Sequence, residues 1–508
     1  MPIRVGEELD LDDVIAAARG ERVELPHQAV QRMRASRRVV EEKVSAGETV
    51  YGVTTGIGSL ANVRISPQQA ERLQEDIVRS HATGVGPDLS REETRAMLLL
   101  RAHVLALGYS GVRPDIVELM VEMLNRDVVP AVPQQGSLGA SGDLAPLAHL
   151  ALPLIGSGRV LTTEGSRPAS EVFAEEGLQP VSLAAKEGLA LVNGTQGMLA
   201  VGILAADRAA RLLRAADVAA AMTLEAALGS DRPFDERLHR LRPHPGQSDA
   251  ASNLRRLLEG SGIVASHRES GHLVQDAYSI RCAPQVHGAA RDVLAFCRDV
   301  LVREIGAVSD NPVVFADQGE VLSGGNFHGQ PVAVALDALA AAAVSLAGIS
   351  ERRLYRLLDP ALNNGLPAFL VEESGLNSGF MLVQYTAASL VSESKALAHP
   401  AAIDSIPSSA GQEDHVSMGM TAARHARDCI AAAEVVVALE ALAGAQGIDL
   451  RAPLAPAPGT RAARDALRVV VAHLESDREL GPDIEAVIEL VRDGGLVAAA
   501  QEAVGNLF

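Results

Sequence analysis

The spacing of apolar and polar positions along the chain predicts helices far more often than strands. Asp10 stands ahead of an apolar-periodic run that closes at Gly20, and a carboxylate at that place accepts from the free amides of a helix's first turn. Ser66-Pro67-Gln68-Gln69 pairs capping-box spacing with proline at the first helical position. The helix it opens sets Ala70, Leu73 and Ile77 on one stripe, brings His81 to the same side and ends near Gly84. A further capping box, Ser90 to Glu93, opens a helix through MLLLRAHVLAL. From about residue 190 onward, stretches such as GMLAVGILAADRAARLLRAADVAAAM and DCIAAAEVVVALEALAGAQ are rich in Ala, Leu and Val. Alanine has the highest helix propensity and small side chains let helix axes approach, so a packed bundle is predicted. Strand signals are short and local: YGVTTGIG after Val50 reads as a strand end running into a glycine turn, and RVLTTEGSRP and PVVFADQGEVL as hairpins. No repeat of solenoid length is present.

The chain has 508 residues, more than a single core usually serves, so two lobes are expected. We place a smaller N-terminal lobe with the short strands and a glycine-rich loop at 1–205, and a helical-bundle domain at 206–508, a mainly α fold. Lys and Arg total 45 against 64 Asp and Glu, a net charge of -19, which repels nucleic-acid backbones and anionic lipid heads. Cys282, Cys297 and Cys429 fall in no CxxC or CxxH spacing, arguing against a disulfide framework and against a zinc site. Reduced thiols and a cytoplasmic location are expected. The start, MPIRVGEELDLDD, is acidic where an export signal is apolar. The most apolar run, Ala338 to Ile349, is bounded by Asp337 and Glu351 and is shorter than the roughly 20 residues of a membrane span. It reads as a core helix.

One stretch carries a specific chemistry. PQQGSLGASGDLAPLAHLALPLIG, from Pro133, gathers Gly136, Gly139, Gly142, Ser137 and Ser141 ahead of an apolar run. The G-x-S-x-G pattern of a serine hydrolase fails, because Asp143 stands where its last glycine belongs. A lone Ala-Ser-Gly is ordinarily a glycine loop entering a helix. The chemical alternative is sharper: with no Cβ at Gly142, its amide nitrogen can be pressed onto the Ala140 carbonyl to close a five-membered ring. Loss of water from that ring and from Ser141 leaves an exocyclic methylene, an electrophile made from backbone at Ala140, Ser141 and Gly142. A bend that tight stores strain, which the fold must hold.

GSLGASGDLAPL resembles the signature of the aromatic amino acid ammonia-lyases and aminomutases, whose cofactor is this methylidene-imidazolone. The resemblance runs in order through YGVTTGIG at Tyr51, SHATGVG at Ser80, KEGLALVNGTQ at Lys186, VQDAYSIRCAPQV at Val274, SDNPVVF at Ser309 and GGNFHGQP at Gly324. It continues through SERR at Ser350, GLPAFLVEESGLNSGFM at Gly365 and QEDHVSMG at Gln412, most of the chain. It implies a cofactor formed autocatalytically with no external group, no metal, and a homotetramer whose active sites are shared between subunits.

The resemblance also implies roles. The substrate amine adds to the methylene derived from Ser141, with Asn193 a hydrogen-bond partner near the cofactor. By itself Asn193, in LVNGT, reads as an Asx-type turn before a helix or a plain cap. Tyr51 and Tyr278 are the acid and base candidates, undistinguished by sequence. Gln275 and Arg281, each three residues from Tyr278, share its side if the stretch is helical, an ordinary polar face on spacing alone. The resemblance makes Arg281 the grip on the substrate carboxylate. Phe327, in GNFHG, resembles a residue packed by cofactor and substrate. His328 beside it has no second ligand at metalloprotease spacing.

For the substrate, an imidazole wants charged or hydrogen-bonding partners and a phenyl ring wants neither. His81 offers one such contact, shared by histidine- and tyrosine-specific relatives. Glu413 in QEDHVSMG stands where the histidine-specific members have glutamate, and Met381 in SGFM matches them as well. Thr83 and Ala277 depart from that pattern, where alanine and proline are usual. The resemblance therefore implies deamination of L-histidine to trans-urocanate, with a tyrosine lyase or 2,3-aminomutase as the alternative and a helical scaffold without activity as a third. That third reading requires a broken tripeptide or a missing Tyr51, Tyr278 or Arg281.

Overall fold

A computed structural model describes residues 2–270 and 274–508, and the side chains of all of these except Pro67 and Gln68. The chain is mainly helical, with four two-stranded sheets among the described residues. It divides into two compact units. The first comprises Met1–Leu204, Arg298–Asp337 and Pro400–Arg424, the second Ala205–Cys297, Ala338–His399 and His425–Phe508.

In the first unit the Leu11–Ala18 helix is closed by a capping box in which Asp10 accepts from the Asp13 amide and Asp13 returns the bond. Ser90 and Glu93 do the same for the Arg91–Ala106 helix, whose residues from Glu93 to Ala106 are all buried, making it the unit's central rod. The box at Ser66 does not form. Ser66 Oγ spends its proton on the Gln69 side chain at 2.9 Å and accepts nothing from the helix amides. The Pro67–His81 helix still carries Ala70 and Ile77 inward and ends at His81. Two segments then pair antiparallel, Val85–Asp88 with Pro133–Gln135, in the register Val85 to Gln135 and Asp88 to Pro133. This ribbon brings the residues after Gln135 beside the end of the His81 helix. The hairpins at Arg159–Thr162/Gly165–Pro168 and Val313–Phe315/Glu320–Leu322 match expectation. The strand expected near Tyr51 is absent: residues 51–54 form turns, and only Thr55 makes a bridge, to Arg64.

In the second unit the small side chains do what their spacing predicts. A Cβ on Gly444 would stand 3.0 Å from Met222 Cβ, and one on Gly447 2.6 Å from Ala226 Cβ, so those helices meet backbone to backbone. The SERR motif serves this interior. Ser350 Oγ donates to Glu440 at 2.6 Å, and Arg353 grips the same carboxylate at 2.5 and 2.8 Å, all of it buried. The apolar run at Ala338 lies within a helix, Gln330–Leu358, of 29 residues. That is long and apolar enough to cross a membrane, yet 56% of its most apolar window is already buried within this chain.

Candidate active site

The ribbon delivers the chain to a loop held in an unusual backbone state. Ser141 has φ +51° and Gly142 φ +77°, the left-handed region that a serine enters only under constraint. Gly139 and Gly142 bridge each other, and Gly142 bridges Gly194 in parallel. The Asp143 amide donates to the Gly194 carbonyl at 2.7 Å. A Cβ at Gly142 would lie 2.0 Å from that carbonyl oxygen, and one at Gly139 2.1 Å from Ser417 Oγ, so neither position tolerates a side chain.

Behind the loop sits Asp143, which the motif reading used only to reject a hydrolase. Its fully buried carboxylate accepts from Ser137 Oγ at 2.9 Å and from the Met198 amide at 2.7 Å. Burial pushes its carboxyl up to about 6 against these bonds, which pull the other way. Burial likewise raises Glu304, which accepts from Thr195 Oγ1 at 2.5 Å.

In front of the loop a cleft of about 430 Å³ is lined by Tyr51, Gly58, Ala140, Ser141, Phe327 and Glu413, together with Asn311 and the stacked imidazoles of His328 and His415. Tyr51 Oη accepts from the Gly58 amide at 3.0 Å, which leaves the phenol's own proton for another acceptor. Glu413 is held in a tight loop: it bridges Ser408 through backbone bonds, and its Oε2 accepts from Ser408 Oγ at 2.6 Å. A second cleft, about 220 Å³, is lined by His81, Ser137, Ala140, Gly142 and again Glu413. His81 Nδ1 donates to the Ile77 carbonyl at 2.8 Å, an assignment that leaves Nε2 as the acceptor. Asn193 is 2% exposed and ends the Glu187–Val192 helix. No local Asx turn forms. Its Nδ2 reaches instead to Asp310 Oδ1 at 3.2 Å and the Asn311 carbonyl at 3.1 Å.

Tyr278, Gln275, Arg281 and Met381 belong to the second unit and line neither cleft. The Tyr278–Arg281 helix is one turn long, so Gln275 precedes it and the three side chains do not share a helical face. Tyr278 and Arg281 do meet, the guanidinium carbon lying 4.6 Å from the ring centroid. Tyr278 is 72% exposed. Gln275 and Arg281 line a common cavity of about 400 Å³, and Arg281 Nε is buried without a partner among the described residues. Met381 opens the Met381–Leu397 helix, half-buried.

A family model described as aromatic amino acid lyase matches residues 9–469. A protein named histidine ammonia-lyase from Sorangium cellulosum (strain So ce56) is 54% identical over 506 residues, covering 98% of each chain. One of the same name from Anaeromyxobacter sp. (strain K) is 56% identical over 500 residues, covering 97% of this chain and 98% of that one. Among solved structures, a tyrosine aminomutase from Streptomyces globisporus superposes with a TM-score of 0.94 at 38% identity, covering 100% of both chains. Histidine ammonia-lyase from Trypanosoma cruzi gives 0.91 at 43% identity, covering 99% of this chain and 96% of that one.

Proposed function

The chain belongs to the aromatic amino acid lyase family, and we propose on that premise that it eliminates ammonia from L-histidine to leave trans-urocanate, using an electrophile formed from Ala140, Ser141 and Gly142. The observation that carries this reading is the company of Glu413, whose carboxylate lines the same cleft as Ser141, Tyr51 and Phe327. A carboxylate there pairs favourably with an imidazole, whereas a phenyl ring offers it no donor beyond Ser408 Oγ. The identity of 54–56% to proteins named histidine ammonia-lyase, against 38% to a tyrosine aminomutase, weighs against tyrosine as the substrate.

The tripeptide fits the ring it would form. A serine at positive φ, followed by a glycine with no room for a Cβ, holds the chain doubled back as ring closure requires. Once formed, the methylidene-imidazolone would supply an electron-poor methylene able to make the amine nitrogen a better leaving group. The remaining work falls to side chains. Elimination breaks the C–N bond and a β-C–H bond and forms one C=C bond, so a base must take the β-proton and the amine must leave with its electron pair. Tyr51 and Tyr278 divide those proton transfers. Arg281 holds the carboxylate with its planar fork, and Gln275 beside it offers a further polar contact. Phe327 covers the reacting atoms, and Glu413 with His81 Nε2 meets the imidazole.

Tyr278, Gln275, Arg281 and Met381 reach a cleft in another copy, in a homotetramer with shared sites. Support comes from the apolar surface left uncovered on one chain: Phe296, Leu382 and Tyr385 are 49%, 55% and 58% exposed on helices that also hold much of the core. The test is a near-ultraviolet assay with L-histidine and L-tyrosine, combined with the intact mass of the denatured protein. We expect urocanate to form and the mass to fall two waters below that of the sequence. Faster turnover of tyrosine than of histidine would reject the substrate, and an unmodified mass would reject the electrophile.

A further inference from the structure

A helix of one turn, such as Tyr278–Arg281, does not hold itself, because the first turn of any helix fixes several dihedrals for very few bonds. Within it the Arg281 amide donates to the Ala277 carbonyl at 3.0 Å and the Cys282 amide to that of Tyr278 at 2.9 Å. A further bond arrives from a distant helix: Arg353 Nη1 donates to the Ser279 carbonyl at 3.3 Å. Arg353 is fully buried on the Gln330–Leu358 helix and spends Nε and Nη2 on Glu440. Its Nη1 carries two protons, and the second meets His287 Nε2 at 3.3 Å.

This fixes the state of His287. A guanidinium only donates, so Nε2 accepts, and the one proton of the neutral ring lies on Nδ1, which donates to Asp217 Oδ1 at 2.6 Å. Asp217 Oδ2 is taken by Asn253 at 2.8 Å and by Arg291. His287, Asp217, Arg353 and Glu440 are all fully buried and all belong to the second unit. Burial holds the imidazole below the ordinary histidine range and Arg353 adds to this, while Asp217 and Glu440 pull the other way. A second proton, on Nε2, would point at Nη1 and set two cations against each other in a dry interior. Arg353 can relieve that only by drawing Nη1 away, which also takes it from the Ser279 carbonyl.

We propose that Arg353 and His287 are positioning residues for the Tyr278–Arg281 turn. With His287 neutral, Arg353 divides Nη1 between the imidazole and the Ser279 carbonyl; with a second proton on His287, Arg353 leaves the carbonyl and the turn opens. What the arrangement keeps in place is the Arg281 guanidinium over the Tyr278 ring, 4.6 Å from carbon to centroid. The consequence for turnover rests on the reading above, in which Tyr278 and Arg281 act on the substrate.

The experiment follows hydrogen exchange of the 277–283 segment, corrected for the intrinsic effect of pH on exchange, together with kcat and KM for L-histidine, from about pH 8 to about pH 5. Full-length wild type is compared with His287→Gln, whose amide can accept from Arg353 and donate to Asp217 without titrating. The second variant, Arg353→Lys, can still pair with Glu440 but has no fork to divide. In the wild type we expect protection of the segment to fall about tenfold toward the acid end and kcat to fall with it, while the Gly419–Asp449 helix stays protected. His287→Gln should keep the protection seen at neutral pH and lose the acid step in both readings. Arg353→Lys should be poorly protected in this segment at every pH and lose about ten- to a hundredfold in kcat, with helix content and the two-water mass deficit retained. An acid step that persists in His287→Gln, wild-type protection that does not change with pH, or acid loosening of the whole second unit overturns the proposal. So does a loosened segment with unchanged kinetics. If Arg353→Lys does not fold, wild type and His287→Gln still decide; if neither variant folds, the pair is a folding element and the proposal falls. An error in the underlying reaction shows separately, as a wild type whose segment loosens in acid but which does not turn over histidine.

Discussion

Around Ser141 the backbone is crowded behind its cleft, with left-handed residues at 139, 141 and 142 and no space for a Cβ on either glycine. Around Tyr278, itself exposed, there is one turn of helix and a guanidinium whose Nε is buried and unpartnered among the described residues. The first region is finished within a single chain and is over-determined, as a loop must be if it is to hold the strain of closing on itself. The second is open, and one of its donors, Arg281 Nε, meets no partner among the described residues. The contrast separates the steps of the chemistry. Under the proposed reaction, the electrophile would be made by the first unit alone, and the substrate's carboxylate would be handled only on assembly.

The largest expected effect tests the crowded side. Ser141→Ala should keep its helix content and its full sequence mass, and lose turnover by more than about a thousandfold. Circular dichroism, intact mass and the urocanate assay together decide it, and substantial activity in this variant would end the case for the electrophile. The open side comes next. Arg281→Ala should retain the two-water mass deficit yet lose about 3–5 kcal/mol of transition-state stabilisation. Mixing it with Ser141→Ala under conditions that exchange subunits should restore activity in about a quarter of the sites, if each site joins two subunits at random. No recovery in verified mixed oligomers would place both regions in the same chain's site.

Glu413→Gln is expected to cost about 2–4 kcal/mol in kcat/KM for histidine and to leave tyrosine turnover level or higher. Unchanged histidine turnover would mean the substrate is misassigned. The smallest effect concerns Asp143. Its folded pKa of about 6 stands above the ordinary 3.8, so the folded state holds this proton more tightly than the unfolded chain does. The stability it contributes is complete below about pH 3.8 and is lost as pH rises through about 6. Relative to Asp143→Asn, the wild type should lose about 2–3 kcal/mol of stability between pH 4 and pH 8, as read from urea midpoints. An offset that stays constant with pH would refute the buried-proton account.

Local sequence determined much of this protein. Asp10 and Ser90 cap because a short polar side chain followed three residues later by an acid satisfies both end amides without help from elsewhere. The Ala-rich stretches form long helices for the same local reason, and Ala140, Ser141 and Glu413, singled out from sequence, line one cleft. Where the local signal was weaker, tertiary contacts decided: Ser66 gave its proton to Gln69, and the segment at Tyr51 became turns. Asn193 passed over its own neighbourhood for a carboxylate 117 residues away. The pairing of Arg353 with Glu440 could not be read from SERR, because a buried ion pair is defined by which segments the fold brings together. The same holds for the return of 298–337 and 400–424 to the first unit, which brings Phe327 and Glu413 to the Ser141 cleft. Periodicity and capping act over one or two turns of chain, so sequence alone determined most of the helices and singled out the Ala-Ser-Gly tripeptide. Only packing across hundreds of residues decided which side chains surround that tripeptide and which face outward.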